Sequence, residues 1–406
     1  MLKKLELRLN DDLRKLNDEG RNKGKESIIL DVKKPDGKKG PRYIVKGYGD
    51  REFIKMNSNS YLGLSLREDI HKAESEETER SGIGPGAVRF ISGTFNAHRQ
   101  LEKRLAEFHG REEAMLFSSA YSTVSGVVYS LLTKETAIIS DELNHNCIIN
   151  AIRMSRPQSK AVYSHNNVDE LEDNIRKAIG AQRLIVVTDG IFSMRGDHAP
   201  LAQIQDLVNS YDDKFPEGAL LVVDDSHGVG DFGPTGRGTE EYTGTRVDVL
   251  VGTLGKAFGV NGGYVTSSET VITYLRENAP MYIYSNPVTP GEAAAARRSL
   301  DILDSEEGKK ILEHLRAMTK RFEKGLKDLG FEIIEGDHPV VPLMVRDTAK
   351  TGELVKWLTD HGVLATGLNY PVVPSGDEEI RFQINADHTA YDVDTVLEIL
   401  GRFRQK

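Results

Sequence analysis

From about residue 110 onward, short apolar runs at 114–117, 137–140, 184–188, 220–223 and 247–251 alternate with helix-length segments. The runs are strand-sized, aliphatic and rich in β-branched residues, the pattern of strands buried on both faces. No other feature constrains the fold as much: it predicts an α/β architecture with a largely parallel sheet flanked by helices. Open sheets of this kind bind ligands at the carboxyl ends of their strands. Asp189, Asp224 and Lys256 each fall just past such a run, so three polar residues are expected at three strand ends.

Taken singly, a lysine between glycines is an ordinary loop residue. Lys256 lies in Gly252-Thr253-Leu254-Gly255-Lys256-Ala257-Phe258-Gly259, downstream of Val222-Val223-Asp224-Asp225-Ser226-His227-Gly228. A nucleotide-binding P-loop is excluded, because that motif needs four residues between its glycines and Ser or Thr after the lysine. Only two residues separate Gly252 from Gly255, and Ala257 follows Lys256. The alternative is pyridoxal phosphate (PLP) chemistry. A lysine can hold the aldehyde of PLP as a Schiff base, and an aspartate at a buried strand end can keep the pyridine nitrogen protonated.

At 406 residues the chain exceeds the usual single core, so two lobes are expected with a site between them. Residues 1–58 read as an N-terminal helix and connector, 59–290 as a large PLP-binding domain and 291–406 as a smaller C-terminal α+β domain. Leu2, Leu5, Leu9, Leu13 and Leu16 recur near helical spacing and predict an amphipathic helix over residues 1 to about 24, a type that often packs on a partner subunit. Lys33 to Gly40 read as a solvated, turn-rich connector. Beyond Gly291 a long helical stretch at 292–329 precedes short runs at 331–334, 340–345 and 380–384.

The net charge of −9 gives no reason to expect nucleic acid or an anionic membrane as partner. Cys147 is the only cysteine, which rules out an internal disulfide and a Cys-rich zinc site; no metal is expected. The N-terminal residues lack the apolar run of a secretory signal, and no stretch is apolar enough for a membrane helix, so a cytoplasmic protein without membrane insertion is expected.

Several stretches carry a specific resemblance: Asn59-Ser60-Tyr61-Leu62-Gly63-Leu64, Val88-Arg89-Phe90-Ile91-Ser92-Gly93-Thr94, Thr188-Asp189-Gly190-Ile191-Phe192-Ser193-Met194, the segments around Asp224 and Lys256, and Tyr370-Pro371-Val372-Val373-Pro374. From about residue 40 to its end the chain resembles the α-oxoamine synthases. These are PLP-dependent transferases of fold type I that condense an amino acid with an acyl-CoA. The nearest likeness is to the 2-amino-3-ketobutyrate CoA ligase (glycine C-acetyltransferase) branch.

The resemblance implies a role for each matching residue. Lys256 carries the cofactor and moves the α-proton, Asp224 pairs with the pyridine nitrogen, and His227 meets the ring's phenolic oxygen; Asp225 is a bystander. His145 stacks on the ring and polarises the thioester carbonyl. Ala120 and Tyr121 supply main-chain N–H groups to the phosphate, Thr253 adds a hydroxyl, and Ser193 contacts the cofactor. Ser285 and Asn286 reach the phosphate of the other subunit's cofactor, which implies a homodimer with shared active sites. Arg381 binds the substrate carboxylate in two parallel hydrogen bonds, and Asn59 assists near the substrate.

The sequence departs from the family at Ala120, at Asn146-Cys147 where Ala-Ser is usual, and at Pro287. Cys147 reads as a small buried filler rather than a nucleophile. The expected reaction joins glycine to acetyl-CoA, forming a 2-amino-3-oxo acid and releasing CoA. The alternative is a decarboxylating synthase of the serine palmitoyltransferase, aminolevulinate synthase or aminooxononanoate synthase type, using another amino acid or a longer acyl-CoA. A non-catalytic partner subunit is the rival from another class, and the presence of Lys256, Asp224, His227 and Arg381 argues against it.

Overall fold

A computed structural model describes residues 2–19, 21, 26–370 and 372–405. Pro371 and residues 1, 20 and 22–24 of the expected N-terminal helix lie outside these. The helix itself spans Lys3–Asp18 and buries none of its side chains; Leu2, Leu5, Leu9 and Leu13 are exposed. Three short strands follow, β1 (Ile29–Lys33), β2 (Arg42–Val45) and β3 (Glu52–Lys55), paired antiparallel; of the expected connector, Lys33 ends β1, residues 34–38 form an exposed loop and Gly40 is buried.

The central sheet comprises β4 (Glu113–Phe117), β5 (Thr136–Asp141), β6 (Ser159–Tyr163), β7 (Arg183–Asp189), β8 (Ala219–Asp224), β9 (Val249–Thr253) and β10 (Gly263–Ser267), in the order β4-β10-β9-β8-β7-β5-β6. All neighbours are parallel except β10, which runs antiparallel to both β4 and β9. Alternation along each strand gives the sheet two cores. Ile138, Ile185, Val187, Val222 and Val251 face one layer of helices, including Ala120–Leu131 and Asn146–Met154. Ile139, Leu184, Val186, Leu221 and Leu250 face the other, including Val168–Ala178 and Leu201–Ser210.

Five of the seven strands coincide with the apolar runs, within two residues at each end. The sequence shows no run at β6 because β6 lies on the sheet edge, where only Tyr163 is fully buried. It shows none at β10 because Gly263, Thr266 and Ser267 interrupt a strand that is nevertheless buried throughout.

In the C-terminal part, the expected long helix is two, Pro290–Leu303 and Glu306–Asp328. Ser305 breaks it by accepting a hydrogen bond from the Gly308 N–H as an N-cap. Strands β11 (Glu332–Ile333), β12 (Val340–Met344), β13 (Val363–Leu364), β14 (Thr366–Leu368) and β15 (Glu379–Gln383) follow. Four of them form a sheet in the order β11-β12-β15-β14, while β13 leaves it and pairs parallel with β3. The N-terminal strands are therefore completed by the C-terminal part of the chain. A buried Arg42–Asp392 ion pair and a hydrogen bond from the Gly40 N–H to Asp392 at 2.8 Å reinforce that junction.

The loop after β7 is held against β5 by His165. Its Nδ1 lies 3.3 Å from Asp141 at the end of β5, and its Nε2 lies 3.1 Å from Asp197 in the loop. Burial resists charging the ring, but the two carboxylates outweigh it and lift His165 from 6.5 to about 9. Because the folded-state value is raised, the stability from this clamp is fully present below about pH 6.5 and lost as pH rises through about 9. His165→Gln is expected to lower the thermal midpoint at pH 6.5 and to match the unsubstituted protein above pH 9, as read by thermal denaturation across pH.

Candidate active site

The carboxyl ends of β7, β8 and β9 meet where the alternation pattern places them. Asp189 and Asp224 are register partners on adjacent parallel strands, so their carboxylates stand side by side. Lys256 follows β9 in a tight turn closed by bonds from the Leu254 N–H to the Gly262 carbonyl at 3.0 Å and from the Gly259 N–H to the Lys256 carbonyl at 2.9 Å. Gly259 has φ +68, and a Cβ there would strike the backbone of Ser65, so the turn requires glycine.

One cavity is lined by Ala120, Tyr121, His145, Cys147, Asp189, Ile191, Ser193, Asp224, Ser226, His227 and Lys256. Seven of the residues singled out from the sequence therefore converge on it: Ala120, Tyr121, His145, Ser193, Asp224, His227 and Lys256. Asp225 points away and accepts hydrogen bonds from the Thr239 N–H and hydroxyl at 2.7 and 2.6 Å.

Thr253, Asn59, Arg381, Ser285 and Asn286 are not among the lining residues. The Thr253 hydroxyl accepts from the Gly255 N–H at 3.1 Å and donates to the Gly262 carbonyl at 3.3 Å, bracing the lysine turn. Arg381, on β15, donates to the carbonyl of Ser193 at 3.1 Å and so stands directly behind the cavity wall. Ser285 is half-buried and Asn286 exposed, in the segment between helices Pro280–Ile283 and Pro290–Leu303.

Burial dominates the electrostatics. It lowers the Lys256 amine, against the pull of Asp224, Asp189 and Asp231. It raises Asp189 well above the usual carboxylate range, with the neighbouring Asp224 charge adding to the effect. The imidazoles of His145 and His227 are pushed down by burial, so both are neutral near pH 7. His145 caps the helix Asn146–Met154, its Nδ1 accepting from the Cys147 N–H at 3.3 Å, which leaves the ring proton on Nε2.

Cys147 is more than a filler. Its Sγ lies between two site groups, 2.9 Å from His145 Nδ1 and 3.6 Å from Asp224 Oδ2, to the second of which it donates its single hydrogen, while burial and the adjacent carboxylates push its thiol up and away from nucleophilic use. Asn146, the other departure, accepts from the Tyr121 hydroxyl at 3.2 Å.

The donor set fits PLP. Asp189 Oδ1 and Ser226 Oγ are buried without a partner. At the start of the helix Ala120–Leu131, Ser119 takes the Ser122 and Thr123 N–H groups, leaving those of Ala120 and Tyr121 for an anion. Ala120 has no positive φ, so alanine serves here without strain.

Asp189 stands out in the sequence as a strand-end acid but without an assigned role, and other contributors leave no local signal there. Tyr61, whose hydroxyl lies 2.8 Å from His227 Nδ1, and His338, whose Nε2 donates to the His227 carbonyl at 2.7 Å, come from segments 166 and 111 residues away. His338 also contacts Asp231 at 3.1 Å, a buried carboxyl raised to about 6 by desolvation. Among the described residues no helix is long and apolar enough to cross a membrane.

Comparison with known proteins agrees with this geometry. The aminotransferase class I and II family model matches residues 51–400. An 8-amino-7-oxononanoate synthase of Thermosipho melanesiensis is 37% identical over 391 residues, 96% of each chain. The mitochondrial 2-amino-3-ketobutyrate coenzyme A ligase of Mus musculus is 37% identical over 364 residues, 89% of this chain and 85% of that one. Among solved structures, serine palmitoyltransferase from S. paucimobilis with bound PLP-myriocin aldimine superposes with a TM-score of 0.87 at 27% identity, over 99% of this chain and 98% of that one. With a lysine, a paired aspartate and two neutral histidines around one cavity of this fold, the chain belongs to the α-oxoamine synthases, PLP-dependent acyltransferases of the aminotransferase class I and II family.

Proposed function

We propose that this chain condenses glycine with acetyl-CoA, giving a 2-amino-3-oxo acid and free CoA, at the cavity beside Lys256. The observation that carries the reading is the convergence of Lys256, Asp224, His145 and His227 on one cavity with Arg381 behind its wall. The motif resemblance and the ketobutyrate ligase relative support the glycine and acetyl assignments. A second reading is favoured by the 8-amino-7-oxononanoate synthase relatives: a decarboxylating condensation with a longer acyl donor.

Lys256 and Asp224 would hold PLP at its two ends, with His227 beside the ring, Ser193 against it and the Ala120 and Tyr121 N–H groups on the phosphate. When bound, PLP supplies an aldehyde that captures amines and a ring that accepts the electron pair released at the α-carbon. Asp224 is oriented for this by the Ser226 N–H at 3.1 Å and the Cys147 thiol. Lys256 Nζ, its pKa lowered by burial, takes the α-proton.

Arg381 holds the substrate carboxylate in place of the Ser193 carbonyl, and Asn59 assists through its contact with Gln383 at 2.8 Å. His145 Nε2–H donates to the thioester oxygen as negative charge develops there. Ser285 and Asn286 lie on a surface segment from which they would reach a partner's phosphate in a homodimer.

Three outcomes are expected. With PLP added, the protein absorbs in the visible; Lys256→Ala loses the borohydride-reducible linkage and about a thousandfold or more in activity. A colourless protein indifferent to PLP would overturn the reading. Arg381→Lys raises KM for the amino acid about 10- to 100-fold, because one ammonium cannot replace two parallel charged hydrogen bonds. In a matrix of amino acids against acyl-CoAs, thiol release is greatest with glycine and acetyl-CoA, and mass analysis of the nascent product shows an intact carboxylate; preference for another pair with loss of CO₂ would establish the decarboxylating reading instead.

A further inference from the structure

The residues expected to hold the substrate carboxylate and to meet the cofactor ring are joined by an unbroken line of polar side chains. Arg381 and Gln383 lie on the same face of β15, and Gln383 is fully buried. One atom of the Gln383 amide lies 3.0 Å from Arg381 Nη2, 3.2 Å from Nε and 2.8 Å from the amide of Asn59. The Asn59 amide lies 3.4 Å from the Tyr61 hydroxyl, which is 2.8 Å from His227 Nδ1.

A guanidinium has donors and no acceptor, so the Gln383 atom facing it must be the amide oxygen. That oxygen also faces Asn59, which must therefore turn its NH₂ toward it. The Asn59 NH₂ then faces the Tyr61 oxygen as a donor. Tyr61 has a single hydroxyl hydrogen, and with Asn59 donating to it, that hydrogen is directed to His227 Nδ1. Burial keeps the phenol protonated and the imidazole neutral, so both ends of this bond are in the required state. The one proton of the neutral ring is then on Nε2, the nitrogen not turned to Tyr61, on a residue that lines the cavity. The alternative direction would set the Gln383 NH₂ against the guanidinium, leaving donors opposed and unsatisfied in a buried site.

Resting on the reading that the cavity holds PLP, we propose that Arg381, Gln383, Asn59 and Tyr61 form a one-way hydrogen-bond chain that fixes the proton of His227 on Nε2, where it can donate to the phenolic oxygen of the ring. Gln383 and Tyr61 are thereby positioning residues: neither lines the cavity, and both act through His227. The same Arg381 that binds the substrate's carboxylate sets the direction of the chain, because it can only donate.

The test is magnetic resonance of histidine labelled on its ring nitrogens, in the full-length protein with PLP added, with His227 assigned by the signals lost in His227→Gln. The expected result is an unprotonated, pyridine-type Nδ1 and a protonated, pyrrole-type Nε2 in the unsubstituted protein. Tyr61→Phe and Gln383→Met lose this single pattern, the two nitrogens moving toward averaged shifts, while Gln383→Glu, which keeps an acceptor toward Arg381, retains it. A proton on Nδ1 in the unsubstituted protein, or an unchanged pattern in folded Gln383→Met, overturns the proposal. The visible band separates this from the wider reading: a protein that binds PLP but lacks the tautomer pattern refutes the chain alone. A protein that ignores PLP refutes the cofactor reading, and its His227 signals still decide the chain.

Discussion

Lys256 is buried against two carboxylates that sit side by side on neighbouring strands, and the rest of the site depends on that arrangement. Parallel strands bring Asp189 and Asp224 into register, so their mutual repulsion and desolvation fall at one point, and the amine beside them relieves part of both. Burial also lowers the lysine, so the group that offsets the acids holds its own charge less firmly than an exposed amine would. A hydrated surface site would give none of these shifts. The two apolar cores on either face of the sheet therefore bear on the chemistry as well as on stability.

Polar side chains around this centre are arranged in two shells with different origins. The inner one comes from strand ends and the helices that start just after them, so it is local in sequence: Asp224 to His227, His145 to Cys147, Ala120 and Tyr121. The outer one comes from remote segments. Tyr61 and His338 meet His227, and Gln383 stands between Arg381 and Asn59. Under the proposed function the inner residues would meet cofactor and substrate, and the outer ones restrict their orientations.

That division decides how much was legible in the sequence. Five strands announce themselves as apolar runs because they are buried on both faces, and Asp189, Asp224 and Lys256 follow as polar residues just past those runs, whereas Ala120, Tyr121, His145 and His227 are legible only through the family resemblance. The edge strand β6 carries no such signal, since one of its faces is open to water, and β10 is interrupted by small polar residues that its antiparallel neighbours accept. Strands β1 to β3 are short and partly charged, and their partner β13 lies more than 300 residues away. The dual contacts of Cys147 with His145 and Asp224, and of Gln383 with Arg381 and Asn59, are products of tertiary packing, which residue type alone does not encode.

The pairing of β3 with β13, and of Arg42 with Asp392, bears on the order in which the molecule can be assembled. During synthesis the first strands leave the ribosome long before the segment that completes them exists. They must wait, unpaired at one edge, while the whole central sheet is made, and such waiting edges are aggregation-prone. Closure of so large a loop is entropically slow, so the junction of the two ends is expected to form last, after the sheet has folded. Until then Gln383, on β15 beyond that junction strand, has no fixed Asn59 to meet, and the proton of His227 has nothing to set its place.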